Sequence, residues 1–520
     1  MPLYIEHDIS NACALPDRSS IDASRHRKMT AFLRDLIKNL PRIPSAQERK
    51  ANKPQSPWTI CKNLTLLQAF CFFVGFSAWT VDAFDFFAVT LTITRLSEQF
   101  CDGSVSSLST SVTLTLLFRA VGALAFGIVT DRFGRRWPLT LNILCIGILS
   151  LATSFVTTYS QFLAVRSLFG IFMGGVYGMS TATALENLPA EARGFFSGIL
   201  QQGYAIGSLL AACVNLSLVD HTNNWRSIFY LGAGLSFFVA ILRAICPESK
   251  VFLKAKAEAD SHPDPLGRSP GTIYCQTLKT AIKLHWGRFL FCVWLMAGFN
   301  FLAHGYQDLC PTYVQVTKGM SRHQSSVLTI IGNCGAVVGG VLFGWISQII
   351  GRRLAIIIAI IWTAAFIPLW ILPSSFIGLT LGASLIQFGV QGAWGVVPVY
   401  LSEVSPPAFR AIFTGLTYQI GNMISAPAVQ IEARAGELHR KVLRGHDVED
   451  YTQVQAVMMG VVCVYITTMI CLAKEYRGRD FEEVAVCAAA NDQTPEDASQ
   501  KDKKSYESEK TVSETTSNKD

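Results

Sequence analysis

The stretch Gly127-Ile-Val-Thr-Asp131-Arg132-Phe-Gly134-Arg135-Arg136 returns 217 residues later as Gly344-Trp-Ile-Ser-Gln348-Ile-Ile-Gly351-Arg352-Arg353. A second pair keeps the same offset: Glu186-Asn-Leu-Pro189-Ala-Glu-Ala-Arg193 corresponds to Glu403-Val-Ser-Pro406-Pro-Ala-Phe-Arg410. Gly122, Gly175, Gly178 and Gly198 likewise match Gly339, Gly392, Gly395 and Gly415. Two polar motifs, separated by two apolar blocks and held at one spacing, mark a duplicated unit.

The sequence around the motifs decides the environment. Of the 520 residues 50% are hydrophobic, 16% are charged and 33 are Phe, with a mean hydropathy of +0.33. A soluble domain carries about a quarter charged residues, so this chain belongs in a bilayer. Apolar blocks fall near 65–90, 107–129, 137–157, 160–185, 195–217, 227–246, 289–312, 325–349, 354–373, 376–401, 411–430 and 454–474. Each reaches the length of about 20 residues that a helix needs to cross. The expected fold is therefore all-α and integral to the membrane, with twelve transmembrane helices in two pseudo-symmetric six-helix halves.

An even number of spans puts both tails on one side. That side also carries Asp131 to Arg136, Arg193, the pair Arg352-Arg353, Arg410 and the segment 247–288 with its seven Lys/Arg against four acids. Basic loops stay in the cytosol, so both termini are expected there and the protein is expected as a multi-pass component of the plasma membrane. Lys318 and Arg322 are exceptions on the opposite side, where the loop 431–453 carries charges of both signs. The organisation expected is a cytosolic disordered head 1–57, an N-terminal half 58–246, a cytosolic linker 247–288, a C-terminal half 289–475 and a cytosolic disordered tail 476–520. The tail segment Lys501 to Lys510 suits kinase or ubiquitin machinery as well as plain solvation. The fourteen Cys lie mostly in apolar runs without CxxC pairs, which argues against a disulfide frame or a metal site. No nucleophile with its base, no P-loop and no basic soluble domain is visible, so an enzyme, a bound cofactor and a nucleic-acid partner are not expected.

The loop motif needs a sharp turn at Gly134 and Gly351, an acid at Asp131 for a basic residue or a helix end, and arginine forks for carboxylates on neighbouring helices. Gly127, Asp131, Arg132, Gly134, Arg135, Arg136 and their counterparts Gly344, Gly351, Arg352 and Arg353 are thus candidates for a cytosolic gate. Gln348 replaces the acid and weakens the second copy. Glu186 with Arg193, and Glu403 with Arg410, are expected as further gate partners.

Two parallel halves with a motif after the second and fourth helices of each have the form of a transporter repeat. The sequence resembles the major facilitator superfamily over about 65 to 475: the G-x-x-x-D-R-x-G-R-R string is similar to its best-known motif, and Pro247-Glu248-Ser249 to another frequent signature. The resemblance implies transport and is silent on substrate.

Charge inside a bilayer is expensive and normally faces a cavity or a partner, which makes intramembrane polar residues informative. The first span carries Asp82 and Asp85, three apart and so on one face. Arg119 lies deep in the second span and Arg166 in the fourth. In Asn300-Phe-Leu-Ala-His304-Gly-Tyr-Gln307-Asp308-Leu-Cys-Pro-Thr312, the residues Asn300, His304, Asp308 and Thr312 recur every four positions as one drifting helical stripe. A histidine can exchange a proton at physiological pH, and Asp308, one turn from His304, can stabilise the charged form or exchange a proton with it. Gln419 and Asn422 in the eleventh span are neutral groups that suit orientation of a polar ligand, or helix packing.

That string is similar to the N-x-x-S/T-H-x-S/T-Q-D-x-x-x-T signature of fungal lactate/monocarboxylate:proton symporters in the sialate:proton symporter group. Ala303 and Tyr306 replace both hydroxyl positions, while the string from Trp79 to Phe87, Arg119 and the pair Gln419/Asn422 also match. The expectation is proton-coupled uptake of a small organic anion, lactate- or pyruvate-like, by alternating access. Arg119, Asn300, His304, Gln419 and Asn422 would bind substrate; His304, Asp308, Asp82 and Asp85 would carry the proton. The same fold can take a sialic acid, a sugar or an aromatic acid. A nutrient receptor without flux is a third reading.

Overall fold

A chain in hydrocarbon must satisfy its own backbone N–H and C=O groups, so the apolar blocks become helices in the computed structural model. Residues 41–45, 56–100, 105–248, 252–253, 257, 270–406, 410–443 and 446–475 are described. After a short turn of helix Pro57–Lys62, capped by Ser56, the first half comprises α1 (Leu66–Phe100), α2 (Val105–Phe133), α3 (Arg136–Phe155), α4 (Tyr159–Leu185), α5 (Ala190–Val214) and α6 (Arg226–Ile245). The second comprises α7 (Pro270–Gln307), α8 (Arg322–Ile350), α9 (Arg352–Ile371), α10 (Phe376–Val404), α11 in two pieces (Arg410–Ser425 and Ala428–Leu438) and α12 (Thr452–Leu472). The duplication extends to the helix starts. Thr158 caps α4 by accepting from the Gln161 N–H, and Ser375, 217 residues on, caps α10 by accepting from the Gly378 N–H.

Eleven of the described helices are long and apolar enough to cross a membrane. The twelfth crossing is α11, whose pieces are each too short to count alone. Its break at Ala426-Pro427 follows from a proline that has no N–H to donate. The outer piece runs on to Leu438, past the expected end of the span, so helix occupies part of the charged loop. The rest of that loop is an antiparallel hairpin, β1 (Arg440–Leu443) and β2 (His446–Glu449), with Leu443 opposite His446.

Two further expectations change. Helix α7 starts at Pro270, inside the segment assigned to a linker. It also stops at Gln307: Pro311 would remove a donor and crowd the carbonyl four residues back, and the chain restarts as Cys310–Thr312 and a wide turn Tyr313–Thr317. The stripe Asn300, His304, Asp308 therefore holds, since the Asp308 N–H still donates to the His304 carbonyl at 3.3 Å, whereas Thr312 lies beyond the break and is off that stripe. The 1–55 part of the head outside 41–45, the tail 476–520 and most of 249–269 lie outside the described residues.

The halves meet along two symmetry-related crossings, α5 on α8 and α2 on α11. Both depend on glycine. A Cβ on Gly344 would sit 2.7 Å from the Gly198 Cα, and one on Gly127 would sit 3.1 Å from Ile412 Cγ1.

Candidate functional site

At the motif end each half contains the same clamp. Gly134 and Gly351 turn the chain at φ of 101° and 96°, a region open to glycine. The Glu248 carboxylate accepts from the N–H groups of Arg135 and Arg136 at 2.9 and 3.0 Å, where α3 begins. Glu475 does the same for Arg352 and Arg353 at the start of α9, at 3.2 Å each. Anions are favoured there because the first N–H groups of a helix have no partner in their own helix. The second arginine of each pair bonds the end of the last helix of its half: Arg136 reaches the Ala244 carbonyl, and Arg353 reaches those of Ile470 and Cys471 at 3.0 and 2.8 Å.

The first arginine of each pair binds a carboxylate at the end of the fourth helix of its half. Arg135 Nη2 lies 3.0 Å from Glu186 Oε1 and 3.4 Å from Asp131 Oδ1. Burial works against the Arg135 charge, but Glu186 and then Asp131 outweigh it and its pKa rises. Arg352 grips Glu403 with two prongs of 3.2 and 2.9 Å, and Ser347 Oγ takes a third N–H at 2.8 Å. The glutamates expected to pair with Arg193 and Arg410 thus receive the loop arginines. Arg193 Nε donates to the Leu188 carbonyl at 3.2 Å; the Arg410 side chain lies outside the described residues, and Arg132 is exposed over Phe133.

The link between the halves at this end comes from the position that differs between the copies. Asp131 Oδ2 accepts from the Ile412 N–H, at the start of α11, at 3.2 Å. Gln348 Nε2 donates to the Glu191 carbonyl, in the first turn of α5, at 2.9 Å. The glutamine therefore bridges the halves as the aspartate does, without the charge. Ser197 of α5 adds a third link, donating to the Gly395 carbonyl at 3.1 Å and accepting from the Val399 N–H at 3.0 Å.

Midway along the bundle the charged residues form two groups. In the first half Asp82, Asp85, Arg119 and Arg166 are buried together. Asp85 is held by Ser150 of α3 at 2.7 Å and Ser236 of α6 at 3.4 Å, so it serves packing within its own half. Among the described residues neither Asp82 oxygen has a hydrogen-bond partner, and Arg119 is the nearby opposite charge of the second span. Arg119 places one nitrogen 2.6 Å from Met173 Sδ, has no acceptor for Nε among the described residues, and lies 4.9 Å from the Phe86 ring centroid. Arg166 stacks on Phe169 at 4.0 Å.

In the second half His304 Nδ1 is 2.9 Å from Asp308 Oδ2, and His304 Nε2 is 3.0 Å from Asn422 Oδ1. Asn422 in turn donates to Gln419 Oε1 at 2.7 Å. The chain Asp308–His304–Asn422–Gln419 therefore joins α7 to α11. Asn300 donates to the carbonyls of Met296 and Tyr418 at 2.9 and 3.4 Å, which makes it a helix-packing group in this state.

Phe86 of α1 touches both groups, since its ring also lies 6.0 Å from His304. Beside it Trp79, Tyr177, Tyr204, Tyr418 and Trp394 form an aromatic layer, with Tyr177 stacked on Tyr418 at 4.2 Å. Trp79 Nε1, Tyr177 OH and Trp394 Nε1 are buried donors without hydrogen-bond partners among the described residues. A cavity of about 20 Å³, room for about one water, adjoins Phe87, Thr90, Ser208, Gln307, Asn333 and Gln387. Sequence reasoning missed Phe86 as a bridge and the amides Asn333 and Gln387, each a lone polar residue in an apolar run.

The model of the Major Facilitator Superfamily matches residues 42–429. A carboxylic acid transporter protein homolog of Saccharomyces cerevisiae is 33% identical over 424 residues, which is 79% of this chain and 68% of that protein. The sialic acid transporter NanX of Escherichia coli is 27% identical over 353 residues, 66% of this chain and 82% of that protein. Among solved structures, the proton:xylose symporter XylE bound to 6-bromo-6-deoxy-D-glucose aligns with a TM-score of 0.62 at 19% identity, over 81% of this chain and 98% of that one, and so speaks for the fold. With its twelve helices in two duplicated halves, the chain belongs to the Major Facilitator Superfamily of multi-pass membrane transporters.

Proposed function

We propose that the protein carries a small organic carboxylate together with a proton, by alternating access. The observation that supports this best is that a buried guanidinium, Arg119, and an imidazole–carboxylate pair, His304–Asp308, both lie beside one ring, Phe86. Arg119 Nε has no acceptor among the described residues, and the aromatic layer supplies three further buried donors, a set that suits a carboxylate. Asp82 is the internal counter-ion. A substrate anion that neutralises Arg119 leaves Asp82 uncompensated, and one proton taken up by the site restores neutrality.

His304 and Asp308 hold that proton, with Asn422 and Gln419 fixing the imidazole. Anion and proton then cross with no net charge left in the low-dielectric centre. Asp131, Gln348 and Ser197 form the gate at the motif end, which the arginine bias assigns to the cytosol, and the plasma membrane is the assigned location. The yeast relative is named for carboxylic acids and the bacterial one for sialic acid, itself a carboxylic acid, which supports the ligand class.

The test is uptake of radiolabelled lactate, pyruvate, acetate, succinate and sialic acid in a transport-deficient yeast host, at two pH values and with a protonophore. Acid-stimulated, protonophore-sensitive uptake of a monocarboxylate is expected. Uptake indifferent to both conditions would refute the proton coupling. Wild-type uptake and pH response in a correctly delivered His304→Ala variant would remove His304 from the mechanism.

A further inference from the structure

The outer piece of α11 carries a carboxylate that this mechanism has not used. Glu432 has 0% exposure, and neither of its oxygens has a hydrogen-bond partner among the described residues. It faces α7 at Gly305, the residue between His304 and the next turn. A Cβ there would lie 3.1 Å from Glu432 Oε1, so the missing side chain makes room for the carboxylate. Asp308 is the charge that acts on it, and Asp308 Oδ1 is itself buried without a hydrogen bond, while Oδ2 is taken by His304.

The other neighbours add no counter-charge. Met458 of α12 closes the same space with a thioether, and Thr110 of α2 bonds Gln430 rather than Glu432. Arg434 and Glu437 follow on the same piece, two and five residues along. At the hairpin, Tyr451 packs on Gly436 and donates to Glu449, one turn further from the site.

Among the described residues Glu432 has no cation in contact and Asp308 has only His304, so ionising both carboxylates in this dry setting is unfavourable. We propose that Glu432 and Asp308 share the coupling proton, with Glu432 as a second proton-binding residue next to the His304 pair. The proton passes from the Glu432 carboxyl to the Asp308 carboxylate when the two side chains come within hydrogen-bond distance, leaving Glu432 ionised, and from Asp308 to the imidazole. This inference rests on the symport reading and adds a second proton-binding carboxylate beside the His304 pair.

The experiment uses the full-length protein in liposomes with an internal pH dye and radiolabelled lactate as probe. The wild type should acidify the lumen as lactate enters and accumulate lactate on an imposed proton gradient. Glu432→Gln should keep lactate–lactate exchange within about twofold, while gradient-driven accumulation and acidification fall tenfold or more. Glu432→Asp, which keeps the carboxyl, should restore both with an altered pH profile. An infrared band of a protonated buried carboxyl should disappear in Glu432→Gln.

A Glu432→Gln protein that acidifies the lumen with the wild-type pH profile overturns the assignment. Loss of exchange and accumulation together in Glu432→Gln, with an unaltered profile in Glu432→Asp, also overturns it, in favour of a packing role. A wild type that moves lactate without acidification, or moves none, refutes the symport reading itself, whatever the variants do.

Discussion

The crossing of α5 on α8 offers a direct test of how the halves move. Replacing Gly344 by Ala puts a Cβ 2.7 Å from the Gly198 Cα and 3.0 Å from both the Gly194 carbonyl oxygen and the Gly198 nitrogen. Carbon atoms rest about 3.5–4.0 Å apart, so the helices must separate by about 1 Å, and the atoms in the way are backbone that cannot rotate aside. Overpacking of this kind costs about 1–3 kcal/mol, which corresponds to about 5- to 150-fold in an equilibrium constant. The strain exists only while the motif end is closed, so it favours states open there. Gly127→Ala at the pseudo-symmetric crossing is the control: its nearest contacts are Ile412 atoms at 3.1 and 3.2 Å, partly side chain, and should yield more easily. Helix propensity gained on replacing Gly is the same at both positions. The assay is maleimide labelling, from the motif side, of a Ser197→Cys reporter in a cysteine-free background, since Ser197 is fully buried when the halves touch. Labelling should accelerate within the stated range for Gly344→Ala, with a smaller effect for Gly127→Ala. Equal labelling and transport in Gly344→Ala and its parent, or a larger effect from Gly127→Ala, would show that the halves do not rock on this contact.

Other perturbations separate the clamps from the site. Arg352→Lys keeps the charge but loses the fork on Glu403, and should lower thermal stability in detergent by about 1.5–3 kcal/mol, the range for hydrogen bonds to charged groups. Glu248→Ala and Glu475→Ala each remove the acceptor for two N–H groups at a helix start, and should cost about 0.5–2 kcal/mol apiece in the same assay. Lying in different halves, their effects should add in the double variant. Arg119→Lys should raise the half-saturating substrate concentration at least tenfold at unchanged surface expression, as a two-pronged anion contact becomes a point contact. Asn300→Ala should weaken thermal stability while leaving that concentration within about twofold, because its amide is bonded to two backbone carbonyls.

The duplication was legible because it is written in polar residues at a fixed spacing, and the turn glycines and clamp arginines fall where the repeat puts them. Partners were harder to read. Glu186 and Arg193 are close in sequence, but folding brings Arg135 to Glu186 from the preceding loop. Asp82 and Asp85 were grouped on one face by their spacing of three. Three residues is about 300° of turn, so the two differ by about 60°, enough to send Asp85 to Ser150 and Ser236 and leave Asp82 near Arg119. Helix ends depended on prolines whose effect is tertiary: Pro311 ends α7 early, whereas Pro368 and Pro398 lie inside α9 and α10 without ending them. Glu432 was hidden by its own neighbours. With Arg434, Glu437 and His439 it lowered the hydropathy of its stretch to that of a loop, although the fold buries it completely.

The division of these groups between the halves bears on coupling. Arg119 and Asp82 belong to the first half, and His304, Asp308 and Glu432 to the second, so neither half alone holds both the anion contact and the proton chain. On the proposed alternating-access cycle, the distance between the two charge groups changes as the halves move. An anion bound without its proton, or a proton without its anion, then leaves one group uncompensated as the halves close and Phe86 comes between them. On this reading coupling does not require a wire of residues from proton to substrate. It requires that closure be unfavourable for every singly loaded state, and a split of the charges across the moving interface provides that.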